Sequence, residues 1–312
     1  MKNQLDTLLG TGRVQEQIDL FPHLSMRLHT IAAYFFEALS PQDIINSVRA
    51  ATRLHLSYTL IGGGSNALFK NAQISGLVVK NSAAYSRVIA ETPSTVDIEV
   101  GGGTSLAVVV SQCIEKGWLG LEYHKGLPGT VGGALFMNSK WTHPISYVGD
   151  TVVSALLVDR EGHTKTVERG YFAFAYDYSI LQKTHELVVS AIFRLQKGDP
   201  ALALQRAQEA LAYRKKTQPP GGATCGCYFR NLTDEEASAH HLPTKSAGYL
   251  IDKAGMKGVQ IGSFQVSPVH ANFIINTGGT SCPEDLITLA DKIKVQVKAQ
   301  FGVELKEEVE VM

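Results

Sequence analysis

In "SPQDIINSVRAAT" the apolar residues Ile44, Ile45 and Val48 recur at the spacing of one helix face. Ser40 offers a capping oxygen and Pro41 a preset φ at the first turn, so the pattern predicts a helix here, preceded by a helical N-terminal arm. The period then shortens. "LSYTLI", "ISGLVVKN" and "VDIEV" are apolar runs of strand length, and "TVVSALLVDREGHTKTVE" reads as two strands joined by a turn at "REGH". "ELVVSAIFRLQKG" is a further strand. Helices are predicted after "GGG" at Thr104 or Ser105 as far as Gly117, over "PALALQRAQEALAYRKKTQ", and from Pro283 to Phe301. In the closing "VELKEEVEVM", Val303, Leu305, Val309 and Val311 fall on one face of a strand, and Glu304, Lys306, Glu308 and Glu310 on the other. The mixture is α+β.

The texture changes after Asp199, and the helix that follows runs through a basic cluster into Pro219-Pro220-Gly221-Gly222, which marks a domain boundary. A chain of 312 residues fits about two domains. Its formal charge is zero, which argues against a nucleic-acid partner. No apolar run approaches the roughly 20 residues that span a bilayer. The first residues, "MKNQLDTLLGTGRVQEQIDLF", lack the apolar core of a signal peptide. Four cysteines are too few for a disulfide scaffold, so a reducing cytoplasm is the expected address.

Three glycine clusters follow strands between residues 62 and 133: "IGGGSNAL", "EVGGGTS" and "KGLPGTVGG". Each alone reads as a tight turn. Together they offer the close main-chain approaches that a long phosphate-bearing ligand needs. Neither the G-x-G-x-x-G nor the G-x-x-x-x-G-K-[ST] pattern is present.

"GGATCGCYFRN" sets Cys225 and Cys227 either side of Gly226. Four ideas compete. Zinc with His240 and His241 is disfavoured because closed sites use wider cysteine spacings. A redox pair would close a strained ring. The others are one working thiol beside a bystander, and filler in a turn. Cys113, Cys225 and Cys282 read as inert buried thiols.

The order of "IGGGSNALF", "GLEYHKGLPGTVGGALFMN", "YDYSILQ", "GCYFRN", "AGYLIDKAGMKGVQIGSFQVSPVHANFIIN" and "VELKEEVEV" resembles the UDP-N-acetylenolpyruvoylglucosamine reductases, in their shorter branch, from about residue 24 to the C-terminus. The resemblance implies a two-lobed FAD-binding module of the vanillyl-alcohol-oxidase (PCMH) type, lobes 1–82 and 83–200, then an α+β substrate-binding domain, 201–302. The strand 303–312 would return to the first lobe. It implies FAD as cofactor, NADPH as co-substrate, a UDP-sugar substrate, no metal, no membrane partner, and a monomer. Gly62, Gly63, Gly64, Ser65 and Asn66 would wrap the FAD pyrophosphate from one side. Gly126, Pro128, Gly129, Thr130, Gly132 and Gly133 would line it from the other, with Asn138 nearby.

The same resemblance puts Cys227 where the family has the proton-donating serine of "G-S-x-F-x-N". A thiol is a stronger acid than a hydroxyl, so the pocket must keep Cys227 protonated. By pattern Glu308 lies on a solvated face; by resemblance it is the acid of "P-E-V" that steadies the enol intermediate. Substrate contacts implied are Tyr176, Ser179, Lys215 or Lys216, Arg230, Asn231 and His270. Two departures stand out. Asp177 occupies the position of the catalytic arginine of "Y-R-x-S", and Arg230 or Lys215 is expected to supply the missing charge. The "G-G-P-A" turn is shortened to "HTIAAYFFEA", with one FAD contact missing or rebuilt. Two other readings remain: a flavin oxidoreductase of the same fold acting on a different sugar, and a catalytically silent flavin- or UDP-sugar-binding protein.

Overall fold

The computed structural model describes residues 1–312. They cluster into two compact units, the first formed by Met1–Ile18, Ala32–Gly63 and Ser75–Arg214, the second by Asp19–Ile31, Gly64–Ile74 and Lys215–Met312. The boundary in the second half of the chain falls inside the helix Pro200–Thr217, a few residues before the Pro-Pro-Gly-Gly run. Two early segments cluster with the C-terminal part, which no composition shift announces.

In the first unit the helix Pro41–Arg53 starts where Ser40 and Pro41 place it. The Ser40 hydroxyl accepts from the Asp43 N–H at 3.1 Å, and the Asp43 carboxylate accepts the Ser40 N–H at 3.1 Å. Arg13 clamps the same carboxylate at 2.7 and 3.0 Å, which holds Asp43 below the usual carboxylate range. Ile44, Ile45 and Val48 then face a core shared with Leu5, Phe36 and Leu77. The N-terminal arm differs from expectation. Its helix, Lys2–Leu9, stops at Gly10, and the chain resumes as the strand Val14–Asp19. Gly10 and Gly12 sit at φ 107 and 76, where a helix cannot continue.

That strand edges a four-stranded sheet in the order Val14–Asp19, Ile31–Ala38, Gln73–Asn81, Tyr58–Ile61. A larger antiparallel sheet follows in the order Thr164–Glu168, Val152–Val158, Leu187–Lys197, Thr95–Gly101, Ser86–Glu91, with Trp118–Leu119 also beside Leu187–Lys197. Its register sets Ala191 against Val100, Phe193 against Ile98 and Leu195 against Val96, all buried. Burying a side chain such as Phe193 stabilises the sheet by roughly 2–3 kcal/mol. The "REGH" hairpin joins Val152–Val158 to Thr164–Glu168, with the Asp159 carboxylate accepting the N–H groups of Glu161 and His163. Ser105 is the N-cap of Leu106–Glu115 without a side-chain bond, and Thr104 instead bonds Tyr85.

The second unit holds a three-stranded sheet, Gln260–Ile261, Phe264–Val266, Ile274–Asn276, and the helix Pro283–Phe301, which buries Leu286, Leu289, Ile293 and Val297 along one stripe. Val303 and Leu305 are buried and Glu304 and Lys306 exposed, as alternation predicts. Only Glu310–Val311 pairs as a strand, however, in parallel with Ala67–Leu68. No helix is long and apolar enough to cross a membrane. Because the Ser40 bond caps a helix whose inner face is fully packed, Ser40→Ala is expected to cost about 1 kcal/mol. It should be read as a lower urea midpoint at unchanged slope.

Candidate active site

The three glycine clusters meet within the first unit, with the exception of Gly64, which belongs to the second. A Cβ on Gly62 would collide with the Thr130 hydroxyl, and one on Gly63 would lie 2.8 Å from the Gly129 Cα. A Cβ on Gly132 would lie 3.1 Å from the Gly102 carbonyl oxygen, which accepts the Gly132 N–H at 2.8 Å. The second cluster therefore braces the third, and the third lies against the first. Gly129 adopts φ 103 and Gly126 φ 83. Thr130 caps the short helix Val131–Met137 by accepting the Gly133 N–H at 3.4 Å. Gly63, Gly126 and Gly133 stay exposed, leaving side-chain-free main chain at the surface of this cradle, and Pro128 is exposed beside them. Such a surface fits a phosphate-bearing cofactor.

Asn138 lies just past that helix, at φ 47 and buried. Its amide donates to Ala175 O at 2.9 Å and its oxygen accepts from Gly149 N at 3.3 Å, so both ends serve the protein. Ser179 is also committed inward. It has no exposure and donates to Phe136 O at 2.8 Å, so the expected substrate hydroxyl is instead an anchor for the "YDYS" turn. Tyr176 is 43% exposed at the head of that turn. Asp177 takes the left-handed conformation, φ 49. Both its oxygens accept from the Lys140 ammonium, which lies 4.0 Å from the Tyr176 ring centroid. Nothing in the sequence flagged Lys140.

In the second unit Cys227 opens an extended segment held on both sides. On one side Cys227 pairs with Phe273, Tyr228 N donates to Asn272 O at 2.7 Å, and the Asn272 side chain both accepts from Phe229 N at 3.0 Å and donates to Phe229 O at 2.6 Å. On the other, Glu308 N donates to Tyr228 O at 2.8 Å and Phe229 pairs with Glu307. Cys227 and Glu308 are thus brought to neighbouring segments. Asn66 secures the outer one: its side-chain amide donates to Glu308 O at 3.2 Å and its main-chain carbonyl accepts from Glu310 N at 2.9 Å. The "GGGSN" asparagine positions the glutamate segment here. Gly64 is tucked against the His23 carbonyl, with no room for a Cβ, and Ser65 is half-buried beside it.

The two thiols differ. From Ala223, opposite Asn276, to Cys227, opposite Phe273, four steps face three, which is a bulge. Gly226 occupies it at φ 85 with open space around it. Cys225 is buried, its thiol pushed up to about 12 by burial with Glu308 adding, whereas Cys227 is half-buried. Burial likewise lifts Cys113 to about 12, so both deep thiols stay protonated. None of the four cysteines is in a disulfide.

The remaining candidates are scattered over the second unit. Lys215 and Arg230 are exposed. The Asn231 side chain accepts from Ala247 N at 3.1 Å, at the start of the helix Ala247–Lys253. The His270 ring stacks edge-on to Phe273 at 4.9 Å and accepts from Asn272 N at 3.3 Å; burial lowers its pKa, keeping it neutral. Asn272, unmarked in the sequence reading, is the residue that clamps the Cys227 segment, and "HANF" carried it in plain view.

Residues 32–168 match the FAD binding domain family, and residues 218–312 match the UDP-N-acetylenolpyruvoylglucosamine reductase, C-terminal domain. A vanillyl-alcohol-oxidase-type flavoprotein from Myceliophthora thermophila superposes with a TM-score of 0.53 at 9% identity, over 87% of this chain and 70% of that one. With the glycine cradle, the fold is that of a flavin-binding protein of this class, joined to a separate C-terminal domain. UDP-N-acetylenolpyruvoylglucosamine reductases from Gloeobacter violaceus and Chlamydia trachomatis serovar A are each 34% identical, over 89% and 96% of this chain and of their own length. The chain belongs to the UDP-N-acetylenolpyruvoylglucosamine reductase family. The crystal structure of the Thermus caldophilus reductase shares the fold, with a TM-score of 0.77 at 24% identity over 96% of this chain and 98% of that one.

Gly63→Ala tests the cradle. Forcing a methyl between main chains costs about 1–3 kcal/mol, so FAD retention should fall roughly ten- to a hundredfold. The flavin absorbance per protein after gel filtration reads the loss, and an unchanged ratio would show that this contact does not shape the cofactor site.

Proposed function

We propose that the protein is an NADPH-dependent, FAD-mediated reductase. It converts the enolpyruvyl ether of UDP-N-acetylglucosamine to UDP-N-acetylmuramate for peptidoglycan, working as a cytoplasmic monomer. What carries the reading is the hydrogen bond between Glu308 N and Tyr228 O, which sets a thiol and a carboxylate on adjacent segments of the family's C-terminal domain. Residues 1–82 and 83–200 would act as the two FAD lobes and 201–302 as the substrate domain.

Bound FAD would supply the hydride chemistry that links NADPH to the terminal carbon of the enolpyruvyl group. Gly62, Gly63, Gly126, Pro128, Gly129, Thr130, Gly132 and Gly133 would line its phosphates, with Gly64 and Ser65 continuing the loop. The protein's own work begins at the other carbon. As the double bond accepts hydride, negative charge develops on the carbon bearing the carboxylate and on the carboxylate oxygens. The Cys227 Sγ gives that carbon its proton, completing the addition of one hydride and one proton, and the thiolate recovers its proton from solvent. Glu308 steadies the enol form of the intermediate from the neighbouring segment, and Asn66 and Asn272 keep the two segments in register. Tyr176, Arg230, Asn231 and His270 contact the sugar nucleotide, while Lys215 meets its phosphates.

The purified protein should be yellow, lose its colour anaerobically with NADPH, and regain it on addition of the enolpyruvyl sugar nucleotide. Colour that returns with oxygen alone would reject this reading in favour of an enzyme acting on another sugar. Failure to bleach would favour a silent binder. Cys227→Ala should leave the first step intact and slow the second about 10²–10⁴-fold, the usual contribution of a positioned acid, with Cys227→Ser retaining much of it. Normal recolouring by the alanine variant would reduce Cys227 to a bystander.

A further inference from the structure

An acid at the position of Asp177 is a problem for any enzyme whose substrate carries a carboxylate that gains charge during the reaction. Two like charges in one site repel, and repulsion is strongest where water is excluded. The turn does not relieve this by swinging the acid away. Ala175 and Tyr178 pair across it, the Gln182 amide donates to Asp177 O at 2.9 Å, and Ser179 ties it to Phe136 O. The Asp177 main chain is held in a left-handed conformation that non-glycine residues rarely adopt. Its carboxylate meets Lys140, and the side chains are 9% and 16% exposed.

A pair buried this far is a poor device for stability alone, because desolvation consumes most of the attraction. Its placement fits another use. Lys140 follows the helix Val131–Met137, which begins at the glycine cradle. The chain turns back at Asn138, φ 47, and Lys140 opens the next strand, Lys140–Thr142. Its ammonium lies against the ring of Tyr176, whose side chain is open to solvent. We propose that Lys140 is the anion-stabilising cation of the first unit, contacting the substrate carboxylate while Asp177 holds it in place. Lys140 is a catalytic residue on this account and Asp177 a positioning residue. The inference rests on the reductase reading. Lys183, the other cation at the turn, is exposed and lies 5.8 Å over the Tyr178 ring, so it serves as a control.

The test compares two ligands on the oxidised holoenzyme: the enolpyruvyl sugar nucleotide, and the same sugar nucleotide without the enolpyruvyl group. Lys140→Met/Asp177→Asn removes both charges and leaves neither one buried alone. Affinity for the carboxylate-bearing ligand should fall about 10–100-fold, as for a lost hydrogen bond between charged groups, with affinity for the truncated ligand unchanged. Lys140→Arg should recover most of the loss, and Lys183→Met should show none. The rate of flavin recolouring should follow the same order, while the thermal midpoint of the double variant stays near that of the wild type. Equal loss of both ligands would make the pair merely structural and overturn the proposal. So would a carboxylate-specific loss in Arg230→Ala with none in the double variant, which would hand the charge to Arg230. If the wild type binds the two ligands alike and never recolours, the reductase reading falls and takes Lys140 with it. Wild-type turnover with unaffected Lys140 variants sinks Lys140 alone.

Discussion

The first unit depends on main chain meeting main chain without side chains between. Gly63 lies against Gly129 and Gly132 against Gly102, while Gly62 makes room for the Thr130 hydroxyl. A Cβ at any of these contacts would push apart loops that end three different strands, and the cradle is the shape left when none is present. Hydrogen bonds then fix the distance: Gly132 N to Gly102 O, Val131 N to Thr104 O, Leu106 N to Gly129 O. Because the bonds run through backbone, the loops can present exposed main chain at Gly63 and Gly126 while staying rigid behind it. Rigid donors cost little reorganisation when an anion arrives.

Charge is arranged by the same economy of local partners. Asp177 is answered by Lys140, Asp43 by Arg13, Asp97 by Arg194, and the buried Glu122 by Arg206. Most of these pairs brace sheets and helix starts. The Lys140 pair differs in being attached to an exposed aromatic ring on a strained turn, so its neutrality matters to whatever lies outside the turn. An acid that would repel a carboxylate becomes, with its lysine, a site without net charge that still carries a cation.

Local features of the fold were legible, and long-range ones were not. Ser40, Pro41 and Asp43 announce a helix because capping is a three-residue matter, and Pro283–Phe301 follows from periodicity alone. The strand Val14–Asp19 was hidden in "VQEQID", which has too few apolar positions to alternate. Glycine clusters could be seen, but not that residues 62–63 touch 129–130, nor that Asn66 bonds a segment 242 residues away. Lys140 and Asn272 escaped notice for the same reason: each acquires meaning only from a partner that folding delivers. The family resemblance pointed to Cys227 and Glu308, yet their adjacency comes from backbone bonds that no motif spells out.

The pair of thiols in "TCGCYF" shows how one residue separates chemistry from filler. In a regular strand, residues two apart share a face, so Cys225 and Cys227 would have the same surroundings. The extra residue in the bulge breaks that equivalence, and Gly226 can occupy it because φ 85 costs glycine little. Cys225 falls on the buried side, where desolvation holds its proton far above neutral pH. Cys227 stays at the half-buried edge of the segment that Asn272 and Glu308 clamp. A residue larger than glycine at 226 would favour regular pairing, turning the two sulfurs to one face. The glycine between them, as much as either cysteine, decides which thiol can reach a ligand.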